Sequence, residues 1–217
     1  MSDYAARRVM MVDTQVRPSD VTKFPIIAAM LAVPREAYVP AAKAETAYVG
    51  DDIDLGAGRV VLQARTYAKL LDALDILPTE VAMDLGCGLG YSTAVLARLA
   101  ARVVAVEENA DLAAQAQAGL AAQGVANAVV VVAPLTLGAA AHGPYDVITV
   151  QGGVQTVPEA LLAQLKDGGR IGAVFMEGAL GVARIGHKAD GRVSWRYAFN
   201  ATAPVLPGFA AKTAFVL

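Results

Sequence analysis

The run VAMDLGCGLGY, from Val81 to Tyr91, gathers the residues best suited to chemistry. Gly86, Gly88 and Gly90 stand at alternate positions between an apolar strand pattern and a helical pattern that begins near Ser92, a setting in which backbone turns tightly and approaches a ligand closely. A dinucleotide loop would space its glycines as G-x-G-x-x-G. Here the third glycine comes one residue early and Tyr91 fills the later slot, which disfavours NAD. Asp84, two residues before the first glycine, would repel a pyrophosphate but attract the ammonium of an amino acid. The next strand ends in Glu107, placing a second carboxylate beside the first strand's end, where it could accept from the two hydroxyls of a ribose. An amino acid joined to one nucleoside satisfies both acids, so S-adenosylmethionine is the expected cofactor, at Asp84, Gly86, Gly88, Gly90 and Glu107. Glu108 reads equally well as a neighbour of that nucleoside or as a solvated acid.

These residues need a scaffold, and the pattern after Pro78 supplies one. Apolar stretches at Val81–Leu85, Val103–Val106, Ala128–Val132, Asp146–Val150 and Arg170–Phe175 read as strands, with helices expected in the 10–15 residues between most of them. That alternation predicts an α/β fold with a doubly wound, mainly parallel sheet. Gly181–Lys188 and Arg192–Phe199 flank Ala189-Asp190-Gly191, a hairpin signal that predicts an antiparallel C-terminal edge, and Lys212–Leu217 reads as one last strand. Upstream, a helix is expected from Ser19 or Asp20 to Pro34, shortened or kinked at Pro25. Residues 35–65 hold Pro40, Gly50, Gly56 and Gly58 and read as irregular, and Arg65–Leu77 returns to helical spacing. No repeat or linker divides the chain. It reads as one domain over 1–217, with an N-terminal helical extension and acceptor-site segment at 1–77 and a cofactor-binding α/β core at 78–217.

Composition narrows the function. The 217 residues are 56% hydrophobic and 18% charged with a net charge of −2, which suits a sheet buried on both faces and offers no basic stripe for nucleic acid. Neither a leader peptide nor a membrane span is expected, and the cytoplasm is the expected compartment. The single cysteine, Cys87, reads as a small buried filler. His142 and His187 each stand beside a glycine in an expected turn and are too few for a metal site or a Ser/His/Asp triad.

The chain also resembles the protein-L-isoaspartate O-methyltransferase family over nearly its whole length. The resemblance is carried by AAMLAVPREAYVP from Ala28 to Pro40, by Ala47-Tyr48, GAGRVVLQARTYAKLL, VAMDLGCGLGYSTAVLA and VVAVEENADLAAQA, and by PYDVITVQGGVQTVPEALLAQLKDGGRIGAV from Pro144. The N-terminal stretch is the specific part, because many methyltransferases share the glycine loop. The resemblance implies methyl transfer from S-adenosylmethionine to a carboxylate of damaged protein or a related acceptor, and places the cofactor against the same acids and glycines.

Two positions depart from the family pattern. Where the family has T-I-S-Q-P, this chain has Val60-Val61-Leu62-Gln63-Ala64, so Leu62 stands in place of the serine at the methyl-transfer site. By this alignment Val61, Leu62 and Gln63 form the acceptor wall. Where the family has G-D-G near the adenine, this chain has Ala133-Pro134-Leu135, which puts Pro134 and Leu135 at that contact. The leading expectation is a methyltransferase acting on a protein or peptide carboxylate, or on an unknown small molecule. A catalytically silent S-adenosylmethionine-binding protein working through a partner is the alternative, and a nicotinamide-dependent oxidoreductase a lesser one.

Overall fold

The computed structural model describes residues 3–56 and 58–211. Helix α1 (Tyr4–Met11) is capped by Asp3, whose side chain accepts from the Ala6 N–H. A π turn at Val12–Val16 and a 3-10 turn at Arg17–Ser19 follow. Helix α2 covers Phe24–Ala32 and begins later than Ser19. Two local features account for the delay. Asp20 takes a left-handed φ of 64°, which breaks any helix there, and Pro25 falls in the first turn of α2, where its missing N–H costs nothing. The irregular stretch holds two 3-10 turns, Arg35–Tyr38 and Ala41–Thr46, and an antiparallel ribbon of β1 (Ile53–Gly56) and β2 (Arg59–Val61). Helix α3 (Ala64–Leu74) stops at Asp75, in the left-handed conformation.

The core then runs β3 (Val81–Leu85), α4 (Tyr91–Leu96), β4 (Arg102–Glu107), α5 (Ala110–Ala122), β5 (Ala128–Val132), β6 (Tyr145–Val154), α6 (Glu159–Leu162), β7 (Leu165–Glu177), β8 (Leu180–Ala189) and β9 (Arg192–Asn200). The seven strands are ordered β5-β4-β3-β6-β7-β8-β9, parallel as far as β7 and antiparallel after it. This is the Rossmann-like arrangement expected, antiparallel edge included. The β8–β9 turn falls on Asp190 and Gly191, both at positive φ, as the sequence there demands. His187 lies in β8 opposite Arg170 and Ser194, not in a turn. Lys212–Leu217 lies outside the described residues.

The helices are shorter than the pattern predicts. Only α5 fills its interval. Between β5 and β6, Pro134, Gly138, Gly143 and Pro144 leave a single 3-10 turn, Ala140–His142. Cover is lopsided as a result. Ala82, Val103, Val147 and Val174 face a core shared with α2, α3 and α4, while Met83, Val104, Ile148 and Ile171 face Leu135, Leu161, Leu206 and Phe209 from loops and α6. Among the described residues no helix is long and apolar enough to cross a membrane, and no group of three or more His, Cys, Asp or Glu could hold a metal ion.

Candidate cofactor and acceptor site

Strand order reverses beside β3, with β4 on one side and β6 on the other, so the crevice beyond the carboxyl end of β3 is where an open α/β sheet binds ligands. The glycine loop sits at that end. Gly86 N–H and Cys87 N–H both donate to the Val106 carbonyl, at 2.8 and 3.2 Å, and Gly90, at φ +95°, starts α4.

Asp84 is wholly buried and points toward α4. Register sets Asp84 beside Thr149 of β6, and α4 brings Ser92 and Thr93 over the same face. One carboxylate oxygen, Oδ2, accepts from Ser92 and Thr93, each at 2.6 Å. Oδ1 accepts from Thr149 at 3.0 Å and Gln151 Nε2 at 2.7 Å. Burial raises the pKa of this acid, and the four hydrogen bonds partly offset the shift. With four side-chain donors around it, the carboxylate clamps β3, β6 and α4 together.

Glu107 is wholly buried too. It accepts from Gly88 N–H and Asn109 N–H, both at 3.0 Å, and from Arg59 Nε at 3.1 Å to each oxygen. Arg59, with a side chain 2% exposed, also gives Nη2 to Glu108 at 2.9 Å, while its Nη1 is buried without a partner. Glu108 in turn accepts weakly from Leu135 N–H at 3.4 Å.

The acceptor-wall segment reaches this crevice. Val60, Val61 and Leu62 border a small cavity with Tyr67, Cys87, Tyr91, Ser92 and Gln151. Gln63 turns away. Its N–H donates to Asp52 at 2.7 Å, and its side chain faces a separate surface hollow with Arg65, Thr66 and Leu180. The wall is held from behind by Arg35, wholly buried, whose guanidinium donates to the carbonyls of Ala47 at 2.7 Å and Leu62 at 2.8 Å and lies 4.7 Å from the Tyr91 ring centre. Leu135 is buried, near the spot a Cβ on Gly86 would take, and Pro134 is exposed. Burial, with Asp84 and Glu107 nearby, pushes the Cys87 thiol well up, which keeps it protonated and suits a filler.

The cavity between the acceptor wall and Cys87 is small, about 10 Å³, room for about one water molecule. Leu55 of β1 places its Cδ1 2.6 Å from where a Cβ on Gly88 would stand, and Leu206 and Leu135 lie 3.6 Å from the same point on Gly86. The acids and glycines are of the expected kind, with Arg59 on Glu107 and Leu55 against Gly88. Sequence spacing missed Arg59 and Arg35. The only signal was an arginine set in an apolar run, GRVVL, and nothing in it names a partner 48 residues away.

Comparison with known proteins supplies the context. Residues 8–201 match the model of the family described as Protein-L-isoaspartate(D-aspartate) O-methyltransferase. Protein-L-isoaspartate O-methyltransferase of Methylorubrum extorquens (strain PA1) is 38% identical over 174 residues, 78% of this chain and 74% of that one. The enzyme of that name from Koribacter versatilis (strain Ellin345) is 34% identical over 171 residues, 79% of this chain and 77% of its own. Among solved structures, a protein-L-isoaspartate O-methyltransferase superposes with a TM-score of 0.80 at 24% identity, over 93% of this chain and 66% of that one. A Plasmodium falciparum protein described as a putative member, in complex with S-adenosyl-L-homocysteine, superposes at 0.78 with 18% identity, over 95% of this chain and 99% of that one. At these identities the two structures establish the fold.

Proposed function

We propose, from the premise that this chain belongs to the protein-L-isoaspartate(D-aspartate) O-methyltransferase family, that its acceptor is a carboxylate of a protein or peptide carrying a damaged aspartyl residue or a close relative of one. The chain is an S-adenosylmethionine-dependent methyltransferase. One observation carries the reading: the family match runs from residue 8 to residue 201, so it includes the N-terminal segment that holds the acceptor wall as well as the widely shared glycine loop.

Asp84, Gly86, Gly88, Gly90 and Glu107, with Pro134 and Leu135 beside them, are proposed for the cofactor, and Val61 and Leu62 for the acceptor wall, whereas the Gln63 side chain, expected there too, faces the separate hollow. The division into an acceptor segment, 1–77, and a cofactor core, 78–217, within one domain belongs to the same proposal. Two features support it: Leu62 faces the glycine loop across the cavity, and the apolar side chains of Val60, Val61 and Leu62 would exclude water from it. Leu62 offers no hydroxyl, so acceptor orientation falls to backbone groups and to the apolar wall. A cytoplasmic location, with no nucleic acid or membrane as partner, fits the charge of −2.

The test is transfer of labelled methyl from S-adenosylmethionine to an isoaspartyl peptide beside its normal aspartyl counterpart. Base-labile label on the isoaspartyl peptide alone supports the reading. Label on neither peptide, with S-adenosylhomocysteine binding intact, would move the acceptor elsewhere.

A further inference from the structure

Two side chains of the β1–β2 ribbon close over the proposed cofactor site. At the acid expected to take the ribose hydroxyls, the guanidinium of Arg59 already sits on both carboxylate oxygens, at 3.1 Å, with its other arm on Glu108 at 2.9 Å. From the same ribbon, Leu55 packs onto Gly88, where the loop backbone would have to approach a ligand. One polar and one apolar group thus stand where a nucleoside would present its hydroxyls and its body.

We propose that Arg59 is a built-in competitor for the cofactor: it holds Glu107 in place of a ribose, and its release from Glu107 sets how tightly this chain binds S-adenosylmethionine. The inference rests on the reading above that this crevice is the cofactor site. Three observations support a displaceable pair rather than a fixed strut. Glu107 keeps two backbone donors, Gly88 N–H and Asn109 N–H, when the arginine leaves, so its charge is not stranded. Arg59 keeps Glu108, whose side chain is 35% exposed and can follow it outward. And Arg59 Nη1 is buried without a partner in the closed state, so leaving gains it water. Apparent affinity for a ligand that needs the open state falls by the fraction of molecules that are open, so an arginine that holds the closed state weakens binding without touching the ligand.

The experiment is calorimetric titration of the full chain with S-adenosylhomocysteine, comparing the parent with Arg59→Gln, which keeps a donor but loses the charge, and Arg59→Lys, which keeps the charge but loses the fork. Circular dichroism and thermal melts establish folding. Arg59→Gln is expected to bind at least tenfold more tightly than the parent and Arg59→Lys several-fold more tightly. A purely structural or ligand-contacting arginine gives the opposite sign. Equal or weaker binding in Arg59→Gln, with the parent binding measurably, overturns the competitor and leaves the family's cofactor in place. If Arg59→Gln does not fold, Arg59→Lys decides by the same sign. If folded parent and variants all fail to bind at millimolar ligand, the cofactor reading fails, and this inference with it.

Discussion

The carbonyl oxygen of Leu62 accepts a 2.8 Å hydrogen bond from Nη2 of Arg35, and both residues are buried. The proposed acceptor wall is therefore anchored through its backbone, by an arginine from the N-terminal segment, and the Leu62 side chain is free to vary without moving the wall.

Leu62→Ser tests that freedom and the acceptor reading together. Replacing a side chain 2% exposed with a smaller, polar one should cost about 2–4 kcal/mol in urea denaturation. The variant should still fold, and its methylation of isoaspartyl peptide should exceed the parent's. A parent already as active as its family, or a folded variant with no gain, would show that Leu62 is not what distinguishes this acceptor site.

Gly88→Ala should be harmful on two counts. The position has φ +55°, and the new Cβ would stand 2.6 Å from Leu55 Cδ1. Left-handed backbone costs a non-glycine residue about 1–2 kcal/mol, and overpacking adds roughly 1–3. A lower melting temperature and weaker S-adenosylhomocysteine binding are expected. An unchanged melting temperature would mean that β1 does not rest on the loop in solution.

Asp84 makes a pH prediction with a defined sign. Burial raises its pKa in the folded protein, with the hydrogen bonds from Ser92, Thr93, Gln151 and Thr149 opposing the shift. A raised pKa means that the folded state holds the proton more tightly. The resulting stability is complete below the ordinary carboxylate range and is lost as pH rises through the raised value. The stability of the parent minus that of Asp84→Asn should therefore fall as pH rises over that window, and a difference that grows would reverse the assignment.

Asp146 should behave in the opposite way. Its own burial works against ionisation, but hydrogen bonds from Lys166 at 2.8 Å and from the Val81 N–H at 2.8 Å outweigh it and lower the pKa. Its contribution is present above the ordinary carboxylate range and is lost as pH falls through the depressed value. Near neutral pH Asp146→Asn should cost about 1–2 kcal/mol, discounted because Lys166 is partly exposed, and the deficit should close in acid. Denaturant melts at several pH values measure both aspartates in one series.

Much of this architecture is legible in the chain because the signals are local. The apolar runs from Val81 to Phe175 place all five parallel strands within a few residues of their true ends, except where β6 and β7 extend past them, and Asp190-Gly191 fixes the last hairpin. Asp84 and Glu107 lie one residue short of and at the ends of β3 and β4, the three glycines follow β3 directly in the loop to α4, and neighbouring strand ends meet in a parallel sheet. Local pattern was misread where turn residues interrupt it. The helix expected at Ser19 starts at Phe24, past the left-handed residue Asp20, and two of the four crossovers between parallel strands keep only a 3-10 turn or the four-residue α6. The occupancy of the site was decided by tertiary structure alone. Four donors from α4 and β6 converge on Asp84, Arg35 grips Leu62 from across the N-terminal segment, and Arg59 reaches Glu107 from a ribbon 48 residues earlier. Periodicity and turn residues report which way each segment's side chains face. Which charge meets which is set by strand register and by the packing of separate segments, and the order of residues along one segment carries neither.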